Sequence, residues 1–459
     1  VSKRFDAIII GAGQAGPSLA ERLTQAGMNV ALIERKYFGG TCVNTGCMPT
    51  KTLVASAYAA HLARRASDYG VMIDSPIRID FERVMDRATA VTMNSRGNIR
   101  QWLSSMEHCT VIEGHARFES PDTISVKDQL LSAAKIFINV GARASKPALS
   151  GVDSVPTLNN SSLLQLRTLP EHLIVIGGSY IGLEFAQMFR RFGAKVTVVE
   201  KSDRLVPRED EDISALIEGI LTKEDIAIRT KAECIRLAPH ASGVAVGLDC
   251  THGAPEVMGS HVLLAVGRVP NTDDLGLDKA GVDMDAHGYI KVDDGLATNV
   301  PGIWAIGDCN GRGAFTHTSY NDFEIVAANL LDGDTRRVSE RIPAYALYID
   351  PPLGRVGMTL AQARATGRRI LVGARPMTRV GRAIEKGETD GVMRIIVDAQ
   401  SHKILGAAIL GTGGDEAIHG VLDMMNAEAA YPLLQWAVPI HPTVSELIPT
   451  LLDELQPLQ

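Results

Sequence analysis

The apolar positions of this chain gather in short unbroken runs, and the clearest of these stop at a glycine or an acid. Phe5 to Ile10, Leu173 to Ile176 and the run from Ile303 up to Gly307 and Asp308 read as strands buried on both faces. That is the pattern of a largely parallel sheet covered by helices. The first two runs open the same unit. Gly11-Ala-Gly13-Gln-Ala-Gly16 or Gly177-Gly-Ser179-Tyr-Ile-Gly182 comes next, then a helix-like stretch to Ala26 or Phe192. A second strand follows, Asn29 to Ile33 or Lys195 to Val199, and closes on Glu34 or Glu200. The spacing from first glycine to acid is the same in both copies. From Ile342 onward the pattern changes. Strand-like pieces at Arg355 to Met358 and Val392 to Asp398 precede helical segments at 415–427 and 445–455, which predicts a separate α+β domain.

One glycine fingerprint is weak evidence, but two copies in matching context are strong. The first glycine allows the tight turn, the second lets a pyrophosphate approach the backbone, and the third packs helix on strand. The helix N-terminus then offers free N–H groups and partial positive charge to the phosphates. Glu34 and Glu200 are expected to accept from ribose hydroxyls, so two dinucleotide sites are predicted. Ser179 stands where the middle glycine is usual, and it is small enough to keep the approach open. Asp308, at the end of its strand, is expected to face a ligand.

Composition narrows the class. An apolar content of 45% with 22% charged residues fits a globular protein. A net charge of -7 speaks against nucleic acid or an anionic membrane as partner. No run is long enough to span a bilayer, and no signal peptide is evident. Six cysteines in 459 residues make no secreted disulfide framework, so a cytoplasmic setting is expected. Cys109, Cys234, Cys250 and Cys309 are scattered and read as small apolar residues.

Cys42 and Cys47 differ. They lie in Gly39-Gly-Thr-Cys42-Val-Asn-Thr-Gly-Cys47-Met-Pro49-Thr-Lys51, directly after the first dinucleotide unit. Pro49 suits a first helical turn, so Cys47 is expected at a helix N-terminus, where a thiolate is favoured. A disulfide across this spacing is feasible. A zinc site would need two further ligands, and none is near. A reduced nicotinamide can reduce a flavin, and a flavin can reduce an adjacent disulfide. Exchange with an acceptor needs a base, for which His441 is the candidate, with Glu446 to orient it.

Taken together, the two fingerprints, the Cys42–Cys47 segment and His441-Pro-Thr-Val-Ser-Glu446 resemble the class I pyridine nucleotide–disulfide oxidoreductases over nearly the whole chain. The resemblance implies FAD at the first unit and NADH, with NADPH possible, at the second. It implies that Cys42 meets the acceptor and Cys47 the flavin, and that Lys51 and Glu184 form an ion pair beside the flavin. Tyr180 would cover the nicotinamide pocket, Asp308 would hold the ribitol, and Gly267 would floor the second nucleotide. Gly40, Thr41, Gly141, Phe315 and Thr316 complete the expected flavin site. His441 and Glu446 would complete the site of the other subunit, which implies a homodimer. The wording of Cys42 to Lys51 and of Ala314 to Tyr320 looks most like the mercuric-reductase-like flavoproteins and the reactive-chlorine-resistance type that reduces copper(II). Two departures are expected to separate it from true mercuric reductase, which carries a cysteine pair near its C-terminus and an N-terminal metal-trafficking domain. Glutathione reductase is disfavoured, because Arg64 and Arg65 cannot be set against a glutathione carboxylate.

The expected architecture is α/β, with two Rossmann-like dinucleotide-binding domains and a C-terminal α+β dimerisation domain. Residues 1–150 and 273–338 form the FAD-binding part, 151–272 the NAD(P)-binding part and 339–459 the interface domain. The expected activity carries electrons from NAD(P)H through FAD to Cys42–Cys47 and on to a small disulfide, metal-ion or quinone-like acceptor. The alternatives are lipoamide dehydrogenase and a flavin diaphorase or oxidase that bypasses the cysteines.

Overall fold

The structure, a computed structural model, describes residues 2–233, 235–248 and 256–458. Its first sheet is built around the strand Lys3–Ile10, in which Ala7, Ile8 and Ile9 are wholly buried. Val30–Glu34 and Gln129–Ile138 flank it in parallel, and Cys109–Glu113 extends the sheet beyond Val30–Glu34. The other edge of Gln129–Ile138 is divided. An antiparallel strand, Thr123–Val126, pairs with its start, and the parallel strand Ile303–Ala305 pairs with its last three residues. The chain therefore leaves this sheet for the second unit and returns to complete it.

The second unit has four parallel strands in the order Ala227–Arg229, Lys195–Val199, His172–Ile176, His261–Leu264. The helix Tyr180–Phe192 packs its apolar face on one side. An antiparallel layer, Arg236–His240, Gly243–Gly247 and Glu256–Gly259, covers the other through Leu237, Val244 and Val246. A two-stranded ribbon, Ala142–Ala144 with Arg268–Pro270, joins the two units.

The third sheet is antiparallel throughout, in the order Ala344–Leu347, Leu353–Gly357, Ile404–Leu410, Val392–Asp398, Ile370–Pro376, Gln456–Pro457. The helical stretch expected at 415–427 is two pieces, Gly414–Ala417 and His419–Asn426, and the final helix is Leu447–Asp453. Of the scattered cysteines, Cys309 is buried and Cys109 half-buried, while Cys234 and Cys250 lie outside the described residues. Among the described residues no helix is long and apolar enough to cross a membrane.

Candidate active site

Both glycine turns open into a single cleft of about 1930 Å³, roomier than the roughly 300–1,000 Å³ typical of one small-molecule site. Its walls bring together Gly11, Gly13, Glu34, Gly40, Thr41, Gly141, Asp308, Phe315 and Thr316 from the expected flavin set. Gly177, Ser179, Tyr180, Glu200 and Gly267 from the nucleotide set line it too, as do Cys42, Cys47, Lys51 and Glu184. Gly16 and Gly182 do not, because their work is internal. A Cβ on Gly16 would sit 2.3 Å from the Gly11 carbonyl oxygen, and one on Gly182 2.0 Å from that of Gly177. Each holds its helix tight against the turn that begins it.

The turns suit pyrophosphate. Gly11 has φ +111°, and a Cβ there would lie 2.2 Å from the Asn139 carbonyl oxygen, so no other residue fits. The helices Ala15–Gln25 and Tyr180–Phe192 have no capping side chain and no acid in their first turn. Their leading N–H groups are left for an anion. Glu34 accepts from the backbone N–H of Ala12 at 2.9 Å and of Lys36 at 2.8 Å. Glu200 does the same with Gly178 at 2.6 Å and Ser202 at 2.7 Å. Both carboxylates are thereby fixed in the cleft with lone pairs to spare for ribose hydroxyls. Of the two cations that follow Glu200 closely in the chain, Lys201 lines the cleft, whereas Arg204 turns to the Pro207 carbonyl. Arg208, which spacing did not suggest, lines it as well.

The cysteines occupy the junction of two helices, Gly40–Thr45 and Cys47–Arg64, with Gly46 between them. The second helix begins at Cys47, with Pro49 in its first turn as expected. The neighbouring Cys42 thiol, the Thr316 hydroxyl 3.2 Å from Cys47 Sγ and the nearby Lys51 ammonium pull the Cys47 thiol down to about 6. Cys42 moves the other way, raised by Cys47 and by burial. Of the two, Cys47 is the thiol that ionises more readily. Alkylation of Cys47 by iodoacetamide in the reduced protein, followed by peptide mass, is expected to accelerate as pH rises through about 6 and then level off. A rise delayed to the ordinary thiol range near 8.5 would contradict this assignment.

Lys51 Nζ lies 2.6 Å from Glu184 Oε2 and 4.5 Å above the Tyr348 ring. With Glu184 almost fully buried, this is no loose surface pair. The Tyr180 hydroxyl donates to Glu209 Oε1 at 3.1 Å. Asp308 stands 3.4 Å from Arg268 Nη2, and burial raises its carboxyl above the usual range. His441 Nδ1 is 2.8 Å from Glu446 Oε2, but the imidazole is exposed and neither residue lines the cleft of its own chain.

Two participants escaped the sequence reading. Asn139 directly follows the strand Gln129–Ile138, lines the cleft and donates its side-chain amide to the Gly11 carbonyl at 3.0 Å. The strand-end rule that singled out Asp308 applies equally to it. Arg268 directly follows Gly267 and links Asp308 to the ribbon between the units. No local signal marks its direction.

Comparison with known proteins bears on this geometry. A family model described as pyridine nucleotide-disulphide oxidoreductase matches residues 5–322, and the dimerisation domain of the same family matches residues 343–452. The probable pyridine nucleotide-disulfide oxidoreductase RclA of Escherichia coli is 37% identical, covering 96% of this chain and 97% of its own. A dihydrolipoyl dehydrogenase of Zymomonas mobilis is 32% identical, covering 97% of each. The solved Cu(II) complex of the HOCl-induced flavoprotein disulfide reductase RclA from Escherichia coli superposes with a TM-score of 0.89 at 35% identity. It covers 98% of this chain and 99% of that one.

Proposed function

This chain belongs to the pyridine nucleotide–disulphide oxidoreductase family, and from that premise we propose that it carries electrons from NADH through FAD to Cys42–Cys47 and on to a small acceptor. The observation that carries the reading is the placement of both sulfurs in the cleft shared by the two glycine turns, with the charge held on Cys47.

The residues fit the cofactor. A bare glycine turn ahead of an uncapped helix receives a pyrophosphate, and the half-buried Asp308 accepts from a polyol. When bound, the flavin supplies a two-electron relay between nicotinamide and sulfur. The chain does the rest. Lys51, neutralised by Glu184 and packed on Tyr348, fixes a cation beside the reacting centre. Helix N-terminus, Lys51 and Thr316 hold the Cys47 thiolate. Cys42, the thiol kept protonated, meets the acceptor and needs a base. His441, oriented by Glu446, is brought to it by a second copy of the chain through the dimerisation domain. Tyr180 covers the nicotinamide pocket until the nucleotide arrives. The division into 1–150 with 273–338, 151–272 and 339–459 follows the sheets these segments form, and the cytoplasm is the proposed setting.

Glu200, clamped by two backbone donors, accepts from a free ribose hydroxyl and repels a phosphate there. NADH is therefore expected to give a kcat/KM at least about tenfold above NADPH, the scale of one unfavourable charge contact near a protein surface. A preference for NADPH in steady-state assays would reverse the assignment of Glu200.

For the acceptor, copper(II) is the reading best supported. RclA has been solved as a Cu(II) complex, and the two sulfurs here are soft ligands suited to the reduced metal. A screen of copper(II), mercury(II), lipoamide, glutathione disulfide and quinones, read as NADH oxidation, tests it. Turnover with lipoamide alone would make the chain a lipoamide dehydrogenase. Turnover with quinone alone that survives loss of Cys42 would make it a diaphorase.

A further inference from the structure

The Tyr180 hydroxyl shares one carboxylate oxygen with a second tyrosine. Glu209 Oε1 accepts from Tyr180 at 3.1 Å and from Tyr345 at 2.7 Å. Its other oxygen, Oε2, takes both Nε and Nη2 of Arg355, at 3.0 and 2.5 Å. The side chains of Glu209 and Arg355 are 0% and 1% exposed, so solvent cannot replace a lost partner. The components come from different parts of the fold. Tyr180 opens the helix behind the second glycine turn, whereas Tyr345 and Arg355 belong to neighbouring strands of the third sheet. The two tyrosine rings meet edge to face at 5.5 Å, and Tyr345 is stacked on Phe315 at 5.8 Å. Tyr180 lines the cleft; Tyr345 lies behind it and does not.

We propose that Glu209 and Tyr345 form a latch that sets how readily Tyr180 uncovers the nicotinamide pocket. The inference rests on the reading of Tyr180 as the cover of that pocket. Swinging Tyr180 outward breaks its bond to Glu209. An unpartnered, buried carboxylate oxygen would oppose that movement strongly. Tyr345 removes the obstacle, because its shorter bond keeps Oε1 occupied after Tyr180 leaves. Its ring is held by Phe315 and its strand by the third sheet, so it stays in place. Tyr345 is thus a positioning residue that makes opening affordable, and Tyr180 is the moving part.

The two hydroxyls therefore act in opposite directions, which a merely structural role would not produce. Tyr180→Phe loses only the bond that holds the cover shut. Its affinity for NAD⁺, measured by calorimetry on the flavin-loaded dimer, is expected to rise about two- to tenfold, the scale of one net hydrogen bond. Tyr345→Phe leaves Tyr180 as the sole hydroxyl on Oε1, so opening strands that oxygen. Affinity is expected to fall about tenfold or more, with the KM for NADH rising and the rate of thiol oxidation by the acceptor unchanged. In the double variant no bond remains to break, and affinity should return to that of Tyr180→Phe, a strong departure from additivity. Equal-signed effects of the two single changes, or no effect of Tyr180→Phe, would overturn the latch. Should Tyr345→Phe fail to accumulate, Tyr180→Phe alone decides. Tyr180→Ala separates this inference from its premise. If it alters nucleotide affinity while the phenylalanine variants do not, the cover stands and the latch falls. If it alters nothing, the cover itself is wrong.

Discussion

Cys42→Ser is expected to abolish NADH-driven reduction of the acceptor while leaving reduction of the flavin intact. Cys42 is the half-buried thiol kept protonated by burial and by its neighbour Cys47, and it is the sulfur proposed for exchange. Serine preserves the size and a hydroxyl donor and removes only the ability to form a sulfur–sulfur bond. Anaerobic titration should then show an uptake equal to that of the flavin alone, without the electron pair a disulfide accepts. Because Cys47 remains, its thiolate is still favoured by Thr316 and Lys51. Unchanged turnover with the acceptor would remove the cysteines from the reaction and leave a diaphorase.

His441→Gln is expected to slow acceptor reduction by about 10²–10⁴, the usual contribution of a positioned general base. The reductive half-reaction with NADH should be nearly untouched. The structure sharpens this. The imidazole is oriented by Glu446 at 2.8 Å yet exposed and away from its own chain's cleft. It can serve Cys42 only across a dimer, and a strip of exposed apolar residues, Trp436, Val438 and Ile440, leads up to it. Mixing Cys42→Ser subunits with His441→Gln subunits should accordingly restore part of the activity, since one mixed site has both its thiol and its base. Failure to complement would mean that His441 acts within its own chain, or on something else.

Much of the site was legible in the sequence because its chemistry is encoded locally. A glycine that must turn, a glycine that must pack and an acid at the next strand end lie within one supersecondary unit. Their spacing therefore survives translation into three dimensions, as the matched contacts of Glu34 and Glu200 illustrate. The cysteine pair is local in the same way. Helix boundaries farther on were less legible: the stretch expected at 415–427 is two pieces, Gly414–Ala417 and His419–Asn426.

By itself the sequence determined the family and the α/β plan and singled out Cys42 and Cys47 as the candidate pair, each resting on residues close together along the chain. Only the tertiary structure decided which distant groups meet. It set Asp308 against Arg268, buried Glu184 under Lys51, put Thr316 beside Cys47, and joined Tyr180 to Tyr345 through Glu209. These partners come from elements far apart along the chain, and no periodicity links them. Their charges and hydroxyls acquire meaning only when burial strips away water and leaves each one partner to satisfy.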